Sequence, residues 1–258
     1  MVMESRRYFR LAALALAVAG FAGMAKADPN DRPRGVIELF TSQGCNSCPP
    51  ADELFAEFAA KNDMVALAYH VTYWDYLGWQ DQLGSKDNTD RQYGYMRAFG
   101  SRSVYTPQAV INGRTHVSGA KREDVTAALD NLNQTGQGMS VDLKVTQNSD
   151  TFTIDVGEAA GAGGPAHVIV VHFQPPMAVD LQRGENKGRR VTYWNAVTDF
   201  HTAGMWHGKA QRFELPKSEV EKKGGCAVLL QAVGKDGLPG PILGAAIVRR
   251  PTVLQQRM

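Results

Sequence analysis

Two cysteines separated by two residues, Cys45-Asn46-Ser47-Cys48, are the residues of this chain best equipped for chemistry. Such a pair can close a small disulfide ring, and as thiolates the sulfurs attack other disulfides or bind soft metals. Cys45 is expected to be exposed near the positive end of the following helix, which favours its thiolate. A C-x-x-C in a secreted chain has three readings: a catalytic dithiol, half of a metal site, or a structural bridge. A structural zinc site takes four ligands, and no second C-x-x-C or nearby Cys/His pair exists. A bridge over so short a loop constrains little. The strand–turn–helix setting favours the catalytic dithiol.

Further residues are candidates beside it. Glu38 is a carboxylate inside an otherwise apolar strand leading to Cys45, where burial is costly unless it is paired or reaches solvent at an edge. His70 ends the second apolar strand on the same side of the sheet as Cys45, and there it either tunes the thiolate, completes a Cys45, Cys48, His70 copper site, or is a satisfied strand-end histidine. Trp74, Asp75 and Trp79 belong to an aromatic cluster that frames a groove or packs on the core, and packing is the better reading for the tryptophans. The other histidines, at 116, 167, 172, 201 and 207, form no ligand pattern by spacing, and Cys226 reads as a buried, inert thiol at the start of a strand, the alternative being a third redox partner. Gly184-Glu185-Asn186 reads either as a hairpin turn or as a loop that leans over the dithiol from the second half of the chain, and it is left out of the site.

The elements that position these residues are legible. Val36 to Phe40 is a buried strand, Thr41 to Gly44 a turn, and Pro49-Pro50 presets the first turn of a helix running to Ala60 with Leu54, Phe55 and Phe58 on one face. Met64 to Val71 is a second buried strand, so the strand–helix–strand unit predicts parallel pairing. Asn88-Thr89-Asp90 can cap a helix that ends at Phe99-Gly100. Ala109 to Ile111, the turn Asn112-Gly113 and Thr115 to Ser118 form a hairpin, and Arg122 to Leu132 is a helix. Beyond the linker Gln134 to Gly138, about seven short strand candidates (around Val141 to Val145 and Phe152 to Val156, then Val168 to Phe173, Val191 to Val197, Arg212 to Leu215, Cys226 to Val233 and Ile242 to Val248) predict an antiparallel sandwich.

Composition narrows the class. The chain has 258 residues, 43% apolar and 21% charged, which is ordinary for a globular protein. Arg6, Arg7 and Arg10, the apolar run Leu11 to Ala22 and Ala25-Lys26-Ala27 read as a signal peptide cleaved before Asp28, the alternative being an uncleaved anchor. Ser5-Arg6-Arg7-Tyr8-Phe9-Arg10-Leu11 resembles the twin-arginine export signal, with a general secretion signal as the other reading. Either route is expected to place the mature chain in the periplasm or outside the cell, where disulfides persist. Removing residues 1–27 takes away four basic groups and Glu4, so net charge falls from +2 to −1. Nucleic-acid binding then has no electrostatic support, and no stable membrane span is expected after cleavage.

The order of strand, C-x-x-C helix, strand, Thr106-Pro107, hairpin and helix resembles thioredoxin. More closely, residues 38–52, 70–79 and Val104-Tyr105-Thr106-Pro107-Gln108 resemble a secreted thioredoxin-like family catalogued as domain of unknown function 1223. Gly184 to Gly188 also resembles a loop of that family. The likeness implies an α/β thioredoxin-like domain over 34–133 followed by an all-β antiparallel sandwich domain over 139–250. It implies a cis-proline at Pro107, with Thr106 and Pro107 binding an extended client, and an acidic residue, here Glu38, that takes the proton from Cys48. The expected function is extracytoplasmic thiol–disulfide exchange with a disulfide-containing protein or small-molecule client and a separate redox partner. No cofactor is then required beyond the Cys45–Cys48 disulfide. The alternative is a copper-binding or copper-delivery protein using Cys45, Cys48 and His70. Asn-Ser between the thiols, where thioredoxin has Gly-Pro, and the longer stretch before Thr106 leave direction and potential open.

Overall fold

The computed structural model describes residues 32–61, 63–148, 151–160, 164–216, 218 and 224–249. The proposed signal peptide and export motif lie outside them. From Arg32 onward the chain forms one compact unit.

The first sheet has the order β2-β1-β3-β4. Strands β1 (Val36–Thr41) and β2 (Val65–His70) are parallel, joined by helix α1 (Pro49–Ala60). Strands β3 (Gln108–Ile111) and β4 (Thr115–Ser118) form the expected hairpin, with Asn112 and Gly113 at positive φ of 49° and 62°. Helix α2 (Lys86–Ala98) starts at Ser85, whose side chain accepts from the Asn88 amide, three residues before the expected cap. Helix α3 (Arg122–Gln134) follows β4. The second half contributes β5 (Leu143–Gln147), β6 (Thr151–Val156), β7 (Ala166–Phe173), β8 (Met177–Asp180), β9 (Arg190–Tyr193), β10 (Val197–Trp206), β11 (Gln211–Pro216), β12 (Gly225–Val233) and β13 (Pro239–Arg249). They form a sheet β10-β7-β12-β13, a sheet β11-β6-β5 and the separate hairpin β8-β9.

Alternation along the strands assigns the faces. Ile37 and Leu39 of β1 pack with Ala51, Leu54, Phe55 and Phe58 of α1 and Val125, Leu129 and Leu132 of α3. Val36 and Phe40 point the other way, into a core completed by Val171 of β7, Leu229 of β12 and Ala245 of β13. The outer face of β7 and β12, through Val168, Val170, Val228 and Leu230, packs on Phe152 and Ile154 of β6. The layers are therefore helices, sheet, sheet, sheet.

This corrects the expected fold class. The chain is a mostly β protein with three α-helices and thirteen strands among the described residues, not an α/β thioredoxin-like domain followed by a sandwich. The physical reason is the second face of the first sheet. In an α/β domain helices cover it; here α2 covers part, and the sheet β10-β7-β12-β13 covers the rest. Chain crossings bind the halves further. Ala196 bridges Ala68 in parallel at the outer edge of β2, the Asn195 side chain donates to Ala66 O at 2.9 Å, and the Ile242 amide donates to Asn112 O at 2.8 Å. Sequence periodicity missed β8, and it placed Val191 to Val197 in one strand where the chain breaks at Trp194–Ala196 between β9 and the long strand β10.

Candidate functional site

Cys45 and Cys48 are joined in a disulfide with Cα atoms 5.4 Å apart. Cys48 is the N-cap of α1, and Pro49 and Pro50 occupy the first helical positions, where a missing N–H leaves no bond unmade. Cys45 precedes the helix by a turn: its amide donates to Ser42 O at 3.1 Å and its carbonyl accepts from the Cys48 amide at 3.2 Å. The expectation of an exposed Cys45 is corrected. Cys45 is 1% and Cys48 0% exposed, while Asn46 and Ser47 between them face solvent.

Three segments close over the turn. The first is 72–84. Gly44 admits the Trp74 backbone so closely that a Cβ there would lie 3.1 Å from Trp74 O. Trp74 Nε1 donates to Thr106 Oγ1 at 2.8 Å, and Trp79 Nε1 donates to Gln43 Oε1 at 2.8 Å. The second is the Thr106–Pro107 segment, whose peptide bond is cis as the family resemblance implied. Ser47 Oγ lies 3.4 Å from Cys45 Sγ and donates to Thr106 O at 3.4 Å. Tyr105 O accepts from Gln92 Nε2 at 2.8 Å, so the carbonyls of Tyr105 and Thr106 are both engaged within the protein. The third is the loop between β8 and β9. Its Asn186 is buried, and Nδ2 donates to Gln43 O at 3.0 Å and to Cys45 O at 2.8 Å. Gly184 at φ 72° leaves room for the Trp79 side chain, which a Cβ would meet at 3.0 Å. The turn that sequence reasoning left out of the site thus clamps it, and no local signal marks Asn186 for that role.

Beneath the disulfide lies a buried polar cluster. Asp52 is one turn beyond Cys48, its amide donating to Cys48 O at 3.1 Å. Helix spacing puts residues four apart on one side of α1. Asp52 Oδ1 accepts from Thr41 Oγ1 at 2.8 Å, and Oδ2 has no hydrogen-bond partner among the described residues. Burial pushes the Asp52 carboxyl up to about 7, against the opposing pull of His70 and the Thr41 hydroxyl. Asp81 Oδ2 holds His70 Nδ1 at 2.8 Å and the Gln43 amide at 2.8 Å. His70 Nε2 has no hydrogen-bond partner among the described residues. Burial disfavours the imidazolium, but the Asp81 carboxylate, its hydrogen bond and Asp52 outweigh it and raise the His70 pKa. The Asp81 carboxyl is lowered, because His70 and the Gln43 and Leu83 amides outweigh its burial.

Glu38 is not part of this cluster. It alternates with Ile37 and Leu39, so it leaves β1 on the face opposite α1. There Arg91 Nε donates to Glu38 Oε1 at 2.7 Å, the Tyr95 hydroxyl donates to Oε2, and Arg91 Nη2 reaches Gln231 Oε1 at 3.1 Å. The guanidinium also lies over the rings of Tyr95, Tyr69 and Phe200 at 5.2, 5.3 and 5.6 Å. Glu38 is 0% exposed and serves as the buried partner of Arg91. Asp52, a carboxylate on the apolar face of an otherwise amphipathic helix, is the acid on the disulfide side, and that misplaced polarity was the sequence signal for it.

Of the copper set, Cys45 and Cys48 are bonded to each other, and His70 keeps Nε2 without a hydrogen-bond partner among the described residues while Asp81 holds Nδ1. Cys226 is buried in β12, as expected. No helix among the described residues is long and apolar enough to cross a membrane.

No curated protein matches the chain. A crystal structure of an Agrobacterium tumefaciens protein is 47% identical, with a TM-score of 0.77, over 84% of this chain and 94% of that one. HBP35 of Porphyromonas gingivalis aligns at 14% identity and a TM-score of 0.47 over 86% of this chain and 78% of that one, too distant a likeness to carry an argument. A family model matches residues 36–231, through both halves of the structure and every residue of the disulfide cluster, and the chain belongs to that family, described as "Protein of unknown function (DUF1223)".

Proposed function

We propose that the protein is an extracytoplasmic thiol–disulfide oxidoreductase whose dithiol works behind a cover that opens. The observation that carries this reading is a disulfide at the start of a helix with a carboxyl poised at about 7 one turn below it. A bridge spanning three positions adds little stability by loop closure, whereas a buried acid titrating near neutrality suits proton transfer.

In the reducing direction the Cys45 thiolate attacks one sulfur of a client disulfide. A Cys45–client bond forms, and the other client sulfur leaves as a thiolate. Cys48 then gives its proton to Asp52, attacks Cys45 Sγ, and displaces the second client sulfur. Two electrons pass from the dithiol to the client, and the departing thiolates take up protons. An external dithiol of the redox partner regenerates the pair; run backwards, the same steps oxidise a client. Thr106 and Pro107 flank the incoming chain, which must displace Ser47 Oγ from Thr106 O before pairing with that edge.

The test is insulin-disulfide reduction and refolding of a reduced substrate enzyme, with wild type, Cys45→Ser and Cys48→Ser. Wild type is expected to be active in at least one direction, Cys45→Ser inactive in both, and Cys48→Ser to accumulate mixed disulfides. Full activity in Cys45→Ser, or none in wild type, would show the bridge to be structural.

A further inference from the structure

Remote from the dithiol, His172, Asp199 and His201 meet on the outer face of the sheet β10-β7-β12-β13. Their ligating atoms all lie within 4.8 Å of one another. The rings of His172 and His201 are 5.8 Å apart and inclined by 25°. His172 is 1% exposed, while Asp199 and His201 are both partly accessible, so the cluster has a fixed floor and an accessible side.

A β-bulge builds this arrangement. Val197 opposes Phe173, yet Asp199 opposes His172, so Thr198 is an extra residue in β10. Val197 packs into the core shared with the first sheet, and regular alternation would send Asp199 and His201 into that same apolar layer. The extra residue reverses the parity. Phe200 enters the apolar layer instead, and Asp199 and His201 emerge beside His172 on the face that also holds Val168 and Val170. Thr198 Oγ1 donates to His172 O at 3.3 Å and ties the bulge to β7.

Bulges that re-aim side chains occur next to functional sites, and two imidazoles with one carboxylate suit borderline divalent transition ions better than magnesium or calcium. We propose that His172, Asp199 and His201 bind one such ion, of the zinc class, leaving an open coordination position toward solvent. Metal–ligand distances of about 2.0–2.2 Å bring ligand atoms to about 3.4 Å from one another. Rotation of Asp199 and His201, the two accessible side chains, closes that gap onto the fixed His172. The site does not involve the dithiol and stands or falls apart from it.

Equilibrium dialysis of the oxidised full-length protein against zinc chloride, with metal counted by mass spectrometry, reads the site. Wild type and the Cys45→Ser/Cys48→Ser double variant are expected to hold one zinc per chain, with His201→Ala and Asp199→Asn weakened by at least about tenfold. Both substitutions lie on the accessible side, and circular dichroism confirms that the variants are folded. Cobalt(II) absorption, present in wild type and lost in His201→Ala, reports imidazole ligation directly. Absence of stoichiometric zinc in wild type, or affinity unchanged in both single variants, overturns the assignment and leaves a hydrogen-bonded histidine–aspartate group.

Discussion

Replacing Asp52 by Asn should change how stability depends on pH. Asp52 is 4% exposed, and its pKa rises from 3.8 to about 7, chiefly through burial. Because the folded chain holds this proton more tightly than the unfolded chain does, native stability falls as pH climbs from about 4 to about 7 and is then level. A tenfold change in proton affinity is worth about 1.4 kcal/mol, and the two pKa values together give a wild-type loss of about 2–3 kcal/mol between about pH 5 and about pH 8. His70, whose pKa is also raised, gives stability that is lost in the same direction, as pH climbs through its folded value. Asp81, lowered, gives stability that is lost only as pH falls. Taking the difference between variant and wild type largely removes the Asp81 contribution. It retains a reinforcing change at His70, which the Asp52 charge helps to keep protonated. Urea unfolding of the oxidised proteins at the two pH values measures it. Asp52→Asn should gain about 2–3 kcal/mol on wild type between the lower and the higher pH. A difference that stays within about half a kcal/mol at both values would refute the raised carboxyl, and with it the proton acceptor proposed for Cys48.

Two further outcomes follow from the packing. Glu38→Gln leaves the Arg91 guanidinium buried without its counter-charge, and should cost about 3–5 kcal/mol by urea unfolding. The exchange rate per folded molecule should stay unchanged, because Glu38 faces away from α1; a slowed rate in folded variant would restore it as the proton carrier. Asn186→Ala strips the donor from Gln43 O and Cys45 O, at a cost of about 1–3 kcal/mol. It should also speed reduction of Cys45–Cys48 by dithiothreitol severalfold, read as free thiol released over time; an unchanged rate would mean that the β8–β9 loop does not guard the disulfide.

Much of the local framework was readable in residue order. Pro49-Pro50 ahead of Leu54, Phe55 and Phe58 marks α1, unbroken apolar runs mark β1 and β2, and Asn112-Gly113 marks the β3–β4 turn. The site was readable only in part. The bonded pair and the cis bond before Pro107 lie where expected. The position of Glu38 was not readable, because a carboxylate in a strand does not reveal which face will meet α1, and here it faces away from the disulfide toward Arg91. The fold class was misjudged for a related reason: strand patterns reveal that a face is apolar, not whether a helix or a sheet will cover it.

Residue order alone determined where the helices and most of the strands form and which two sulfurs can bond, because those depend on periodicity and on neighbours a few positions away. Tertiary structure decided what surrounds them. Asn186 reaches Cys45 across 141 positions, Arg91 reaches Glu38 across 53, and a single extra residue at Thr198 turns Asp199 and His201 toward His172. Partners so distant are chosen by how sheets stack and in what register, and neither quantity is written in any local stretch of the chain.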